Sequence, residues 1–246
     1  MKIASAQINS TVGEISHNLE EHYQMIDLAS QHDVDLIIFP EMSLTGYCRE
    51  EAADLIMTEH SKELDLLKQK STQENIIIVV GAPVSLGNKI YIGSFILQPS
   101  GQVKIYTKQF LHEGEDLFYQ SSFEHNPQLE VQNEKISFAI CADIENELHP
   151  QNAFELKSSL YLPSIFYSKN GIRGGLEKLA KYAETFSLNI LMSNFSGELW
   201  NVEAGGESCF INNKGELLEK LPTDERGLLV IEKDGDEWRS EPLFIQ

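Results

Sequence analysis

The sequence predicts an α/β layered fold, and three observations predict it. Short β-branched runs bounded by turn residues alternate with longer segments of helical period. Three polar turn signals each separate two strand-like runs. At 246 residues, 41% of them hydrophobic and 23% charged, the chain has the composition of an ordinary folded protein and can build a large core.

The elements follow in order. Strands are expected over residues 2–8 and 34–39, and between them 18–30 places Leu19, Tyr23, Ile26, Leu28 and Ala29 mostly three and four apart, as an amphipathic helix does. Residues 50–69 carry a similar pattern through Leu55, Ile56, Leu64, Leu66 and Leu67, read as two helices broken near His60. Further strands are expected over 75–80, 89–97, 103–106 and 135–141. A third good helix covers 171–187 through Ile172, Leu176, Leu179, Ala180, Tyr182 and Phe186. The last strands fall over 189–192, 208–211 and 227–231. Pro99-Ser100-Gly101, Asn212-Asn213-Lys214-Gly215 and Lys233-Asp234-Gly235 read as hairpin turns. With no low-complexity stretch, repeat or linker, one domain over residues 1–246 is expected.

Charge narrows the partners. Nineteen Lys and Arg face 38 Asp and Glu, a formal net charge of −19, and such a field repels nucleic-acid phosphates and anionic lipid. No nucleic acid and no membrane partner is expected. Cys48, Cys141 and Cys209 are sparse and include no CxxC pair, which fits neither a disulfide framework nor a thiolate zinc site. The N-terminus MKIASAQINS lacks the apolar segment of a secretory signal, and the apolar stretch 76–84 is too short to span a bilayer, so a cytoplasmic location is expected. Neither a phosphate-binding glycine loop nor a cluster at metal-ligand spacing occurs, so no cofactor and no metal are expected.

Active groups in open α/β sheets collect beyond the carboxyl ends of strands. Three reactive side chains have such places: Glu41 after 35–40, Lys108 after 103–107 and Cys141 at the end of 136–140. A cysteine attacks as its thiolate, which a nearby ammonium favours, and the same ammonium steadies an oxyanion. A carboxylate within reach takes the thiol proton, returns it to a departing amine and then activates water. Singly, each has a plainer reading: Cys141 as a small buried hydrophobe, Glu41 as a helix cap, Lys108 as a solvated charge. Among the seven histidines, His112 and His149 lie near these segments; His149, before Pro150, is read as a helix cap or a pocket residue. Cys48 is read as a buried thiol or a cavity wall.

The strings around these residues resemble the carbon–nitrogen hydrolase (nitrilase) superfamily across nearly the whole chain. Phe39-Pro40-Glu41-Met42-Ser43-Leu44-Thr45-Gly46-Tyr47 resembles the motif bearing its catalytic Glu. Tyr106-Thr107-Lys108-Gln109-Phe110-Leu111-His112-Glu113-Gly114-Glu115 resembles that of its catalytic Lys, with a further Glu that positions substrate. Ile140-Cys141-Ala142-Asp143-Ile144 is similar to the nucleophile motif, and Asn194 with Gly197, and Gly205-Gly206-Glu207-Ser208, are weaker echoes. The resemblance implies a four-layer αββα sandwich in which Glu41, Lys108 and Cys141 are catalytic, the oxyanion lying between Lys108 and the Ala142 N–H. Glu115 aligns better than Glu113 with the extra Glu, the choice between them staying open, and Tyr47 and Asn194 are at pocket positions.

Departures from the family pattern bear on substrate. Ala142 replaces the usual aromatic, Phe110 the usual His, and Glu145-Asn146-Glu147-Leu148-His149-Pro150 an Arg-bearing segment. True nitrilases tend to carry Trp-Glu where this chain has Ala142-Asp143, so a small aliphatic amide is expected rather than a nitrile. The alternatives are an N-carbamoyl compound, for whose carboxylate Arg173 is the candidate cation, and a catalytically silent metabolite-binding scaffold. The family's habit of pairing subunits through helices near the nucleophile implies a homodimer or larger homo-oligomer, and the absence of a long tail after Phe244 favours the dimer.

Overall fold

The computed structural model of the chain describes residues 1–235 and 237–245. In chain order the elements are β1 (Lys2–Gln7), α1 (Ile15–Gln31), β2 (Leu36–Ile38), α2 (Asp65–Gln73), β3 (Ile77–Leu86), β4 (Lys89–Leu97), β5 (Val103–Thr107), β6 (Leu129–Val131) and β7 (Glu134–Ile140). They continue with α3 (Leu148–Glu155), β8 (Leu160–Ser164), α4 (Ile172–Phe186), β9 (Asn189–Met192), β10 (Glu198–Leu199), β11 (Val202–Glu203), β12 (Cys209–Ile211), β13 (Leu217–Lys220), β14 (Gly227–Asp234) and β15 (Glu237–Phe244). Two large sheets result, ordered β15-β14-β1-β2-β3-β4-β5 and β13-β12-β9-β8-β7-β6, beside the small hairpin β10–β11. Each has a parallel centre, β1-β2-β3 in the first and β7-β8-β9 in the second, flanked by antiparallel strands.

Strand alternation builds the layers. In the second sheet Ile136, Phe138, Ile140, Leu162, Leu191 and Phe210 enter one core shared with Ile3, Leu36, Val80 and Phe95 of the first sheet. The intervening Ala139, Tyr161, Ile190, Met192, Cys209 and Ile211 point the other way, into a second core with Ile172, Leu179, Tyr182 and Ala183 of α4 and Ala153 of α3. Hydrogen bonds tie the sheets face to face: Ser164 Oγ to Phe39 O at 2.8 Å and Ser193 Oγ to Ala6 O at 2.6 Å. With α1 and α2 on the outer face of the first sheet, the order is α, β, β, α, as the resemblance implied.

Most expected elements form within a few residues of their sequence bounds, and the three turn signals join β4 to β5, β12 to β13 and β14 to β15. The 50–69 segment is a correction: it holds turns up to residue 55, and helix α2 begins only at Asp65. The cause is edge pairing. Met57 N donates to Pro83 O at 2.8 Å and Ser85 N to Met57 O at 2.9 Å, which draws the middle of the segment out along β3. Strand β8 and helix α3 are additions. Pro163 disguises the first as a break, and Pro150 disguises the second, although it sits in the first helical turn, where a missing N–H costs nothing. Among the described residues no helix is long and apolar enough to cross a membrane.

Candidate active site

Each of the three reactive residues sits where a strand gives way to a turn, and each turn is pinned by the sequence around it. After β2 the chain turns at Met42, with φ at 51°, and folds onto β3. Gly81 permits the approach, since a Cβ there would lie 2.4 Å from Met42 N. Leu44 N donates to Gly81 O at 3.0 Å, and Ser43 Oγ accepts from Gly81 N at 3.2 Å. Lys108 leaves β5 with its N–H on Ile92 O at 2.8 Å. Cys141 follows β7 with φ at 40°, a left-handed conformation costly for a side chain with a Cβ, and opens the short 3-10 turn Cys141–Glu145.

These turns bring Glu41, Lys108 and Cys141 together. Lys108 is fully buried, and its Nζ donates to Glu41 Oε1 at 2.7 Å and to Glu115 Oε1 at 2.9 Å. Glu115 Oε1 also accepts from the Tyr47 hydroxyl at 2.9 Å, while Oε2 accepts from His112 N at 2.7 Å. The plain reading of Lys108 as a solvated charge is thus overturned, and Glu41 caps no helix. Glu115 reaches the lysine, whereas Glu113 is exposed to solvent. Glu41, Tyr47, Glu115 and Cys141 line a cavity of about 260 Å³, walled on its far side by Phe166, Tyr167 and Trp200.

Electrostatics sets the resting protonation. Burial pushes the Glu41 carboxyl up, Glu115 adds to the rise, and Lys108 and the Cys141 thiol oppose it. Burial pulls the Lys108 ammonium down, but Glu41, then Cys141 and Glu115, more than reverse this and hold its pKa above that of an ordinary lysine. Burial first, and the Glu41 charge second, raise the Cys141 thiol well above its usual range despite Lys108. Cysteine at rest is therefore a thiol beside a proton acceptor. Among the described residues Glu41 Oε2 is buried without a hydrogen-bond partner, an open acceptor at the cavity.

The other sequence candidates divide. Tyr47 lines the cavity. Ala142 is buried, and its side chain takes no part in the wall, leaving its backbone N–H as the group of interest. Asn194 is a correction: it lies behind the wall, its Oδ1 accepting from Tyr167 N at 2.9 Å and its Nδ2 donating to Gly206 O at 2.8 Å, so the amide is consumed in holding two loops. Arg173 is another: its side chain is 89% exposed and pairs with Glu177 at 3.1 Å, one helical turn on. Cys48 is buried beside Tyr119 Oη at 3.6 Å, and burial raises its thiol to about 11. His149 neither caps nor lines; inside α3 it meets Tyr106 Oη at 2.8 Å and Tyr161 Oη at 2.8 Å. Among the described residues no group of His, Cys, Asp and Glu could hold a metal ion.

Two residues that sequence reasoning passed over are prominent. Asp143 Oδ1 accepts from the backbone N–H groups of Gln109 and Phe110, both at 2.8 Å. Its Oδ2 accepts from Ile140 N at 2.8 Å and from the Tyr106 hydroxyl at 2.5 Å. One carboxylate thus ties the lysine segment to the cysteine turn. Its signal was its place two residues after Cys141. Arg49, two residues after Tyr47, lines the cavity and was hidden in an acidic stretch.

Comparison with known proteins bears on this geometry. A glutamine-dependent NAD(+) synthetase of Aquifex aeolicus is 30% identical over 99% of this chain and 44% of its own length. A protein N-terminal amidase of Saccharomyces cerevisiae is 25% identical over 65% of this chain and 36% of its own. The chain therefore spans less than half the length of these curated relatives. An amidase from Nesterenkonia sp. AN1 has the same fold, with a TM-score of 0.84 at 20% identity over 96% of this chain and 93% of that one. A variant of that amidase carries the acetamide moiety of fluoroacetamide covalently on its active-site cysteine. Residues 2–150, which hold Glu41, Lys108, Glu115 and Cys141, match the carbon-nitrogen hydrolase family, and the chain belongs to that family of hydrolases.

Proposed function

We propose that the chain hydrolyses the carbon–nitrogen bond of a small linear amide through a thioester on Cys141. The observation that carries this is the fully buried Lys108 held between Glu41 and Glu115, two carboxylates that line one cavity with Cys141. As Sγ attacks the amide carbon, Glu41 takes the thiol proton and the carbonyl electron pair moves onto oxygen. Lys108 Nζ and the Ala142 N–H stabilise that oxyanion. The C–N bond then breaks, Glu41 passes its proton to the leaving nitrogen, and ammonia departs from the thioester. Water, deprotonated by Glu41, adds to the acyl carbon; the C–S bond breaks, and the thiol is re-formed with release of a carboxylic acid. The raised affinity of Glu41 for protons suits a group that carries one twice per turnover. Tyr47 and Glu115 hold Lys108 in place.

The chain is read as one domain over residues 1–246, and a homodimer is proposed with it, supported by Leu148 and Phe154 of α3, 62% and 53% exposed near the cysteine turn. A second reading is favoured by the 30% identity to a glutamine-dependent enzyme along nearly the whole chain: the amide is that of glutamine, and the ammonia serves a synthetase. Ammonia release from short amides, glutamine, N-carbamoyl amino acids and nitriles, with Cys141→Ala in parallel, tests both. Turnover of an amide that vanishes in the variant is expected, and glutamine as the sole substrate selects the second reading. Turnover confined to nitriles, or none on any class, contradicts both.

A further inference from the structure

The cavity wall contains a guanidinium that the chemistry above does not use. Arg49 stands beside Tyr47, to whose hydroxyl its Nε donates at 2.9 Å, and its Cζ lies 4.9 Å from the ring centre of Trp200 and 5.6 Å from that of Tyr47. Room for it is built in. Gly114, at φ 82°, has no Cβ, and one placed there would come 2.9 Å from Arg49 Nη1. Trp200 is held in a left-handed conformation, φ 54°, at the tip of the β10–β11 hairpin, and its ring meets Tyr47 edge-on at 5.1 Å.

Arg49 forms no ion pair with a carboxylate among the described residues, although the chain has 38 Asp and Glu against 19 Lys and Arg. In a protein of net charge −19, an anionic ligand is repelled at a distance and needs a local cation to dwell in a cavity that already contains Glu41 and Glu115. Lys108 already donates to those two carboxylates, and its remaining N–H serves the oxyanion. Arg49 keeps its terminal nitrogens for a partner, and a planar fork backed by an aromatic face suits a carboxylate.

We infer that Arg49 anchors a carboxylate of the substrate, so that the amide hydrolysed is one end of a short chain with a carboxylate at the other. This rests on the amidase reading above. The tyrosine between them, donating to Glu115 while accepting from Arg49, links the anchor to the lysine that faces the reacting carbonyl.

The test compares succinamate with butyramide, which differ mainly in the terminal carboxylate, on the wild type, Arg49→Gln and Arg49→Lys. The ratio of kcat/KM for succinamate over butyramide is expected to fall roughly 30-fold in Arg49→Gln, mainly through KM, and to hold an intermediate value in Arg49→Lys. Glutarate supplies a readout independent of turnover: it should shield Cys141 from iodoacetamide in the wild type and not in Arg49→Gln. An unchanged ratio, or equal shielding in both proteins, overturns the carboxylate anchor while leaving the amidase reading intact. Shielding that depends on Arg49 in a protein that turns over neither amide supports the anchor and removes the amidase reading.

Discussion

Two buried polar clusters flank the Cys141 turn, and they differ in a single respect. On one side Asp143, Tyr106, His149 and Tyr161 form a closed network in which both Asp143 oxygens and both His149 nitrogens have partners. On the other, Glu41, Lys108, Glu115 and Tyr47 are as deeply buried, but Glu41 Oε2 has no partner among the described residues and the cluster opens on a cavity. Satisfied networks rigidify what they touch, and an open acceptor beside a nucleophile is where protons can move. The first cluster therefore sets the position of Cys141, and the second supplies its chemistry.

The comparison breaks most visibly at the nucleophile. Cys141→Ala should reduce amide turnover roughly 10⁴-fold or more, measured as ammonia release, without lowering thermal stability much. Next comes Lys108→Met, expected to cost roughly 10³-fold in kcat and to strand Glu41 and Glu115 as buried charges, which costs on the order of 3–5 kcal/mol. Burial already raises the Glu41 carboxyl and the variant removes the opposing Lys108 charge, so the stability Glu41 permits is present at low pH and lost as pH rises through its folded value. Denaturant unfolding should accordingly show the variant closer to wild type near pH 5 than near pH 8.

Asp143→Asn addresses the closed cluster. An amide offers one acceptor where four donors converge, which leaves at least one N–H facing an NH₂ group, at a cost of about 1–3 kcal/mol. A drop in kcat of roughly 10- to 100-fold with KM little changed is expected, because the cysteine turn moves while the cavity wall stays. A raised KM with kcat unchanged would instead place Asp143 among the groups that bind substrate. The smallest effect concerns His22, buried against Phe39 with Nε2 2.9 Å from Ser43 Oγ and Nδ1 2.6 Å from Asn18 O, and held by burial at about 4, below its ordinary 6.5. Its unfolded form takes up a proton between those values, so stability is full above about pH 6.5 and falls by roughly 3 kcal/mol toward pH 4. His22→Gln should flatten that part of the pH–stability curve.

Sequence reading captured what recurs locally. The β-branched runs ending at Phe39, Thr107 and Ile140 announced strands, and Glu41, Lys108 and Cys141 stood out as reactive types at their ends. What escaped it depends on contacts between distant segments. Residues 50–55 have a helical pattern but form turns, and Met57 beyond them pairs along β3; Asn194 has a pocket-like place in sequence but spends its amide on Tyr167 and Gly206. Asp143 and Arg49 gain their meaning only from donors and rings 34 and more than 60 residues away in the chain, or folded back across a turn. Periodicity carries no record of such partners.

The most direct measurement is the intact mass of the protein quenched during turnover of a slow amide, followed by peptide mapping. A mass gain equal to the substrate less ammonia, confined to the Cys141 peptide and absent from both Cys141→Ala and Glu41→Gln, the second because the thiol proton then has no acceptor, is the predicted result. Amide turnover that persists in Cys141→Ala, or an acyl group carried by another residue, would contradict it.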